Sequence, residues 1–124
     1  GGMSICMDEY KADPRLILGY HVVPGQWLLQ GGTTGGGGVM RWFEREFADY
    51  ERSVAGEKGS SLNQLNEIAE RIAPGSDGVV FLPYMSGERS PIWNPNAKGV
   101  FYGLDFSKTK GHMVRACMEG VALL

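Results

Sequence analysis

A dense run of glycines that turns at once into bulky side chains constrains this chain more than any other feature. The stretch QGGTTGGGGVMRWF, Gln30 to Phe43, places six glycines in its first nine residues, and Val39, Met40, Trp42 and Phe43 follow. Such a run is either a slack linker or a main-chain surface kept free of Cβ atoms. A slack linker is bordered by polar, unpatterned sequence. Here an apolar stretch precedes the run, and behind it Val39, Trp42, Phe43, Phe47 and Tyr50 recur at helical spacing, with Glu44, Arg45 and Asp49 off that stripe. The run therefore joins a strand to an amphipathic helix. At such a junction bare backbone can approach a ligand, and the helix start offers free N–H groups and partial positive charge that suit a phosphate. Small residues also let a helix start lie flush on a sheet with no ligand present. The run alone leaves both readings open. Walker A fails, because Gly38-Val39-Met40 stands where Gly-Lys-Ser/Thr is required. A dinucleotide fingerprint needs a βαβ unit, whereas a hairpin precedes this run and a second helix follows its first.

The chain has 124 residues, a formal net charge of −2 and 43% hydrophobic residues. That suffices for one modest core, at a size where a domain buries roughly two-thirds of its unfolded surface. The near-neutral charge and the lack of a Lys/Arg run argue against nucleic-acid binding. No apolar stretch approaches the roughly 20 residues of a membrane span. The two cysteines, Cys6 and Cys117, read as reduced packing residues of a cytoplasmic protein rather than a disulfide framework. Gly1 opens without a leader and Leu124 falls inside a helical pattern, so a piece of a longer chain is expected.

Along the chain, Ser4 to Tyr10 is compatible with an edge strand. Leu16 to Val23 and Trp27 to Leu29 read as strands of an antiparallel hairpin around Pro24-Gly25. A helix over the aromatic stripe follows, then a polar loop from Ser53 to Ser61, with Ser61 as the cap of a second helix through Leu62, Leu65, Ile68, Ala69 and Ile72. Pro74-Gly75 ends it. Gly78 to Leu82 is a short buried strand, Met85 to Lys98 a long loop, Gly99 to Leu104 extended, and Lys110 to Leu124 a third helix. The sum is a mixed α/β chain.

The stretch PYMSGERSPIWNPNAKGVFYGLDFSKTKGHMVRACMEG, Pro83 to Gly120, is more specific. Its blocks Gly87-Glu88-Arg89-Ser90-Pro91, Trp93-Asn94-Pro95, Ala97-Lys98-Gly99 and Gly103-Leu104, and the helix with His112, Met113, Ala116 and Glu119, resemble the FGGY family of carbohydrate kinases, most closely its xylulose kinase-like branch. Cys117 departs from the residues preferred at its position. Upstream, His21-Val22-Val23-Pro24, Trp27 and the glycine run ending in Trp42 resemble the start of the family's second domain.

That resemblance implies an α/β, ribonuclease H-like, actin-like ATPase domain, with a mixed sheet and flanking helices. Residues 1–124 would form the front part of the C-terminal, nucleotide-binding domain, and the N-terminal sugar domain lies outside the chain. It implies ATP and Mg2+ as cofactors, a small-molecule sugar as substrate, neither nucleic acid nor membrane as partner, and a full-length enzyme compatible with a homodimer. Gly36 and Gly37 fall at the helix start, where the family's glycine approaches the nucleotide, and Arg41 lies on the same side one turn later. Gly1-Gly2-Met3-Ser4 resembles the remnant of a phosphate-binding hairpin turn, which makes Gly2 and Ser4 candidates; Gly1-Gly2 also fits a cloning scar. The main chain from Gly31 to Gly38 is expected to form a wall for a triphosphate. The aspartate base expected of these kinases precedes this region, and Asp8, Asp13, Asp49, Asp77 and Asp105 do not match its motif. No metal ligand set is identified, and the piece alone is expected to be inactive.

Other residues carry quieter expectations. His21 and His112 have no partner at metal-ligand spacing and read as capping or packing residues. Glu88 and Arg89 read as a loop ion pair or as contacts bracing the cleft, Trp93 as packing that pins the long loop, and Glu119 as a structural hydrogen bond. Ser86 has no base nearby. Two rival functions stay open: an actin-like nucleotide-binding protein without sugar turnover, and a non-enzymatic interaction domain whose glycines serve packing alone.

Overall fold

A computed structural model describes residues 1–56 and 59–124. Three strands, β1 (Gly2–Met7), β2 (Ile17–Tyr20) and β3 (Trp27–Gly32), form one sheet in the order β1-β3-β2. Both pairings are antiparallel. Then come α1 (Gly37–Phe47), α2 (Asp49–Ala55), α3 (Ser61–Glu70), a 3-10 turn at Ser76–Gly78, β4 (Val80–Leu82), β5 (Val100–Tyr102) and α4 (Lys110–Ala122). β4 and β5 pair antiparallel in a second, smaller sheet. The α/β class is as expected. Where a mixed sheet was expected, the ladders among the described residues are antiparallel, and parallel pairing occurs at an isolated Met85–Gly87 bridge.

The aromatic stripe is split between two helices. At Ala48 the backbone leaves helical angles (φ −112°, ψ 35°), and α2 starts at the next residue. The Glu44 carbonyl accepts from the Ala48 N–H at 3.2 Å and from the Arg52 guanidinium. α2 then occupies the first part of the segment expected to be loop. Glu57 and Lys58 of that segment lie outside the described residues. The cap of α3 is one residue earlier than expected: Ser60 accepts the Asn63 N–H at 3.3 Å, while Ser61 is already helical and donates to the Glu44 carboxylate.

The core lies between α1, α3, α4 and β4, where Phe43, Leu65, Val79, Phe81, Val114 and Cys117 are buried. α4 crosses β4 closely at Gly120, where any Cβ would run into the Phe81 carbonyl. The three-stranded sheet contributes little to this core. Its alternation puts Met3 and Ile5 on one face with Leu18 and Leu29, and Ser4 and Gln30 on the other. Met3 is 69% and Ile5 49% exposed, so the apolar face is largely uncovered. Cys6 is exposed on β1 with its thiol against Gln26, which corrects the expectation that it packs in an interior. Among the described residues no layer packs over β1.

Because Phe43 is 1% exposed at the centre of the core, Phe43→Ala should destabilise the domain by about 3–5 kcal/mol. The urea midpoint of the transition that unfolds these residues in the complete protein checks this.

Candidate functional site

The β1–β3 register brings the two glycine segments together. Gly2 lies opposite Gly32, and the Thr33 N–H donates to the Gly1 carbonyl at 3.0 Å. A cleft of about 440 Å3 opens along this seam. Gly2, Gly31, Gly32 and Gly36 supply main-chain lining, and Leu16 and Val121 an apolar floor. Gly36, at the N-cap of α1, has φ 144° and ψ −150°, a combination essentially closed to residues with a Cβ. It makes no side-chain cap, and the first turn of α1 carries no acidic residue. The N–H groups of Gly37 and Gly38 therefore start the helix without a partner among the described residues, at the positive end of its dipole.

The expected wall from Gly31 to Gly38 divides into two parts. A Cβ at Gly35 would sit 3.0 Å from the Pro83 carbonyl, and one at Gly32 3.1 Å from the Arg89 guanidinium. At Gly31 it would meet Leu16 at 3.3 Å. These three glycines let neighbouring segments pack closely. At Gly37 and Gly38 a Cβ would meet nothing within 4 Å. Within the run, then, free room for a Cβ is confined to the helix start.

Among the sequence candidates, Gly2 and Gly36 share the cleft. Gly37 is exposed just beyond it, and Arg41 is exposed one turn further along α1. Ser4 lies over an adjoining depression shared with Gly2, Gly32 and Arg89, and its hydroxyl accepts from Gln30 at 3.1 Å. Among the described residues no aspartate lines the cleft. Asp13, Asp49 and Asp77 pair with Arg15, Arg52 and Lys108, Asp105 accepts from Ser107, and Asp8 accepts from Gln26. Among the described residues no three His, Cys, Asp or Glu side chains gather as a metal site.

Sequence reading named Glu88 as half of an ion pair or as a brace of the cleft, and missed its partners on the glycine segment. Glu88 is 4% exposed, yet its carboxylate accepts from the Thr33 hydroxyl at 2.6 Å, the Thr34 N–H at 3.0 Å and the Arg89 N–H at 2.7 Å. Thr34 in turn donates its hydroxyl to the Gly87 carbonyl at 2.5 Å. Burial pushes the Glu88 carboxyl up, but these hydrogen bonds and the Arg89 charge outweigh it, and the group sits below the usual glutamate range. Glu88 thus braces the cleft, and no ion pair links it to Arg89 among the described residues. The signal available in sequence was two threonines inside a glycine run, whose hydroxyls need partners once half-buried.

Past Glu88 the long loop is fastened to the turn before β2. Ser90 Oγ and Trp93 Nε1 both donate to the Arg15 carbonyl, at 2.8 and 3.0 Å. Trp93 thus pins the loop as expected. Asp13 holds that turn through a bidentate pair with Arg15, at 3.0 and 2.7 Å, and the side-chain bond from Arg15 lowers its carboxyl to about 2. His21 Nδ1 accepts the Val23 N–H, and His112 closes a capping box with Thr109 at the start of α4. Cys117 is buried, which pushes its thiol up to about 12 and keeps it protonated.

Comparison with known proteins matches this arrangement to a family. The profile for the FGGY family of carbohydrate kinases, C-terminal domain, covers residues 6–124. The chain belongs to the FGGY family of carbohydrate kinases. A gluconokinase of Bacillus subtilis is 41% identical over 98% of the chain and 24% of its own length. The crystal structure of a xylulose kinase from Rhodospirillum rubrum superposes with a TM-score of 0.76 at 36% identity, over 98% of this chain and 23% of that one. A ligand-bound xylulose kinase from Lactobacillus acidophilus gives 0.79 at 30% identity, over 97% and 23%. The chain therefore spans about a quarter of the length of these FGGY kinases. Its structural neighbours carry the actin-like ATPase fold.

On α4 of this FGGY domain, Glu119 accepts from the Gly75 N–H at 3.0 Å and from Arg115 at 2.7 Å, the structural role expected. Burial opposes its ionisation, but those two partners hold it below the ordinary glutamate value. A lowered folded value stabilises above the unfolded pKa of about 4.3, and that stabilisation is lost as pH falls through the folded value. Glu119→Gln should therefore lower the apparent Tm of the complete protein most near neutrality, with the gap closing below about pH 4. A gap of constant size from pH 7 to pH 3 would contradict the assignment.

Proposed function

We propose that residues 1–124 are the front part of the C-terminal domain of an ATP-dependent sugar kinase and form part of its nucleotide site. The complete enzyme transfers the γ-phosphoryl group of ATP to a hydroxyl of a small polyhydroxy acceptor. A ketopentose such as xylulose is one acceptor of that kind. The 41% identity to a gluconokinase supports a sugar acid such as gluconate equally. The observation that carries the nucleotide reading is the uncapped start of α1 beside Gly36, open to solvent and adjoining the β1–β3 seam.

Phosphoryl transfer asks a protein mainly to position groups and to stabilise charge. The Gly37 and Gly38 N–H groups can donate to phosphate oxygens without any Cβ in the way, and the dipole of α1 favours the anion. Gly36 shapes the turn that aims them. Arg41, exposed on the same helix, adds positive charge nearby. The donor chemistry fits a nucleotide phosphate, and bound ATP supplies the group that is transferred. Mg2+ finds no ligand cluster among the described residues, and none of this chain's side chains is assigned to it. The proton acceptor for the sugar hydroxyl is likewise assigned outside the chain.

Gly37→Val in the complete enzyme should raise the Michaelis constant for ATP about tenfold, the scale of about 1.4 kcal/mol, with a much smaller change for the acceptor. Equal rises for both would count against the nucleotide role. Assaying the unsubstituted enzyme against gluconate, xylulose and glycerol identifies the acceptor.

A further inference from the structure

We propose that Glu88 is a positioning residue for the nucleotide, holding the main chain that leads into α1 in the geometry that presents its N–H groups. The proposal rests on the nucleotide reading above and adds to it a residue that is remote in sequence from the glycines.

The connection is continuous. Glu88 Oε2 accepts the Thr33 hydroxyl at 2.6 Å, and the same hydroxyl oxygen accepts the Gly35 N–H at 3.2 Å. Glu88 Oε1 accepts the Thr34 N–H at 3.0 Å. Each residue from Thr33 to Gly35 is thereby tied, directly or through one hydroxyl, to a single carboxylate. The next residue is Gly36, whose backbone sits at φ 144°. A glycine there has many alternative conformations open to it. The segment before it must be held from outside if α1 is to begin at one place. Close packing alone does not do this, because the space a Cβ would occupy at Gly37 and Gly38 has no neighbour within 4 Å.

The ionised form is needed for the task. Thr33 Oγ1, Thr34 N and Arg89 N all donate, so the site presents donors and asks for an acceptor-only group. Glutamine keeps the shape but turns an NH2 group toward one of those donors. Glu88 is itself held from behind, since the Glu88 N–H donates to the Asn94 carbonyl at 2.8 Å and the Asn94 N–H to the Glu88 carbonyl at 2.9 Å. The loop that carries Glu88 is fastened in turn to the Arg15 carbonyl by Ser90 and Trp93. The latch therefore has a fixed base.

The test uses the complete kinase with Glu88→Gln, Thr33→Val, Thr33→Ser and Gly37→Val, measuring Michaelis constants for ATP and for the acceptor together with apparent Tm. Glu88→Gln and Thr33→Val should each raise the ATP constant about tenfold, the scale of leaving one partner of a buried hydrogen bond unsatisfied, while the acceptor constant changes little. Thr33→Ser, which keeps the hydroxyl, should recover most of the affinity lost in Thr33→Val. Should Glu88→Gln fail to fold, the Thr33 pair reads the same latch from its other end. The proposal is overturned if Gly37→Val weakens ATP while Glu88→Gln and Thr33→Val leave it at the native value. It is also overturned if they raise both constants by the same factor, which marks a purely structural role. If Gly37→Val too leaves the ATP constant unchanged, the nucleotide reading falls and takes this proposal with it.

Discussion

A carboxylate that has given up nearly all of its water must find its hydrogen bonds inside the protein, and Glu88 finds them on the glycine segment. The partners are a threonine hydroxyl, a threonine amide and the amide of its own neighbour. Removing any one leaves a buried group short of a bond, which costs more than the bond itself contributes. The arrangement therefore holds as a unit. It joins two stretches that neither helix nor sheet would bring together: the glycines after β3, and the loop that leaves β4 and returns at β5.

Around this latch the molecule is built from two unequal halves. The helical half owns the core, with Phe43, Leu65 and Val114 almost completely buried. Its cohesion depends on close approach, and α4 meets β4 at a glycine because a side chain there would collide with main chain. The three-stranded sheet is held differently. It is anchored along its end by the Ser90 and Trp93 contacts to Arg15 and by the seam with the glycine run. Its apolar face leaves Met3 and Ile5 exposed, with no layer packed over them among the described residues. The cleft lies where the halves meet, and main chain from both forms its lining.

The glycines illustrate why one composition can serve several purposes. Gly32 and Gly35 admit the Arg89 guanidinium and Pro83, Gly36 supplies a backbone angle, and Gly37 and Gly38 leave helix amides bare. Packing and ligand access, which compete as explanations of the run as a whole, hold for different residues within it. The FGGY relatives share the fold over nearly the full chain, at TM-scores of 0.76 and 0.79.

Periodicity and punctuation were enough to locate the hairpin, the helices and the short strands, because those patterns depend on local geometry that the chain cannot escape. The GERSP loop and the helix after it carried the family. Residue order alone could not show that the aromatic stripe breaks at Ala48, since the break is stabilised by Arg52 reaching back to Glu44. Nor could it show that Cys6 is exposed, because exposure depends on which layers cover a strand. The division of the glycines and the partners of Glu88 were decided by tertiary structure. Thr33 and Glu88 are 55 positions apart, and no local pattern encodes a hydrogen bond across that distance. Sequence determined which segments would be helix, strand and bare backbone; only folding decided which bare backbone stays open, because that depends on what each absent Cβ would have touched.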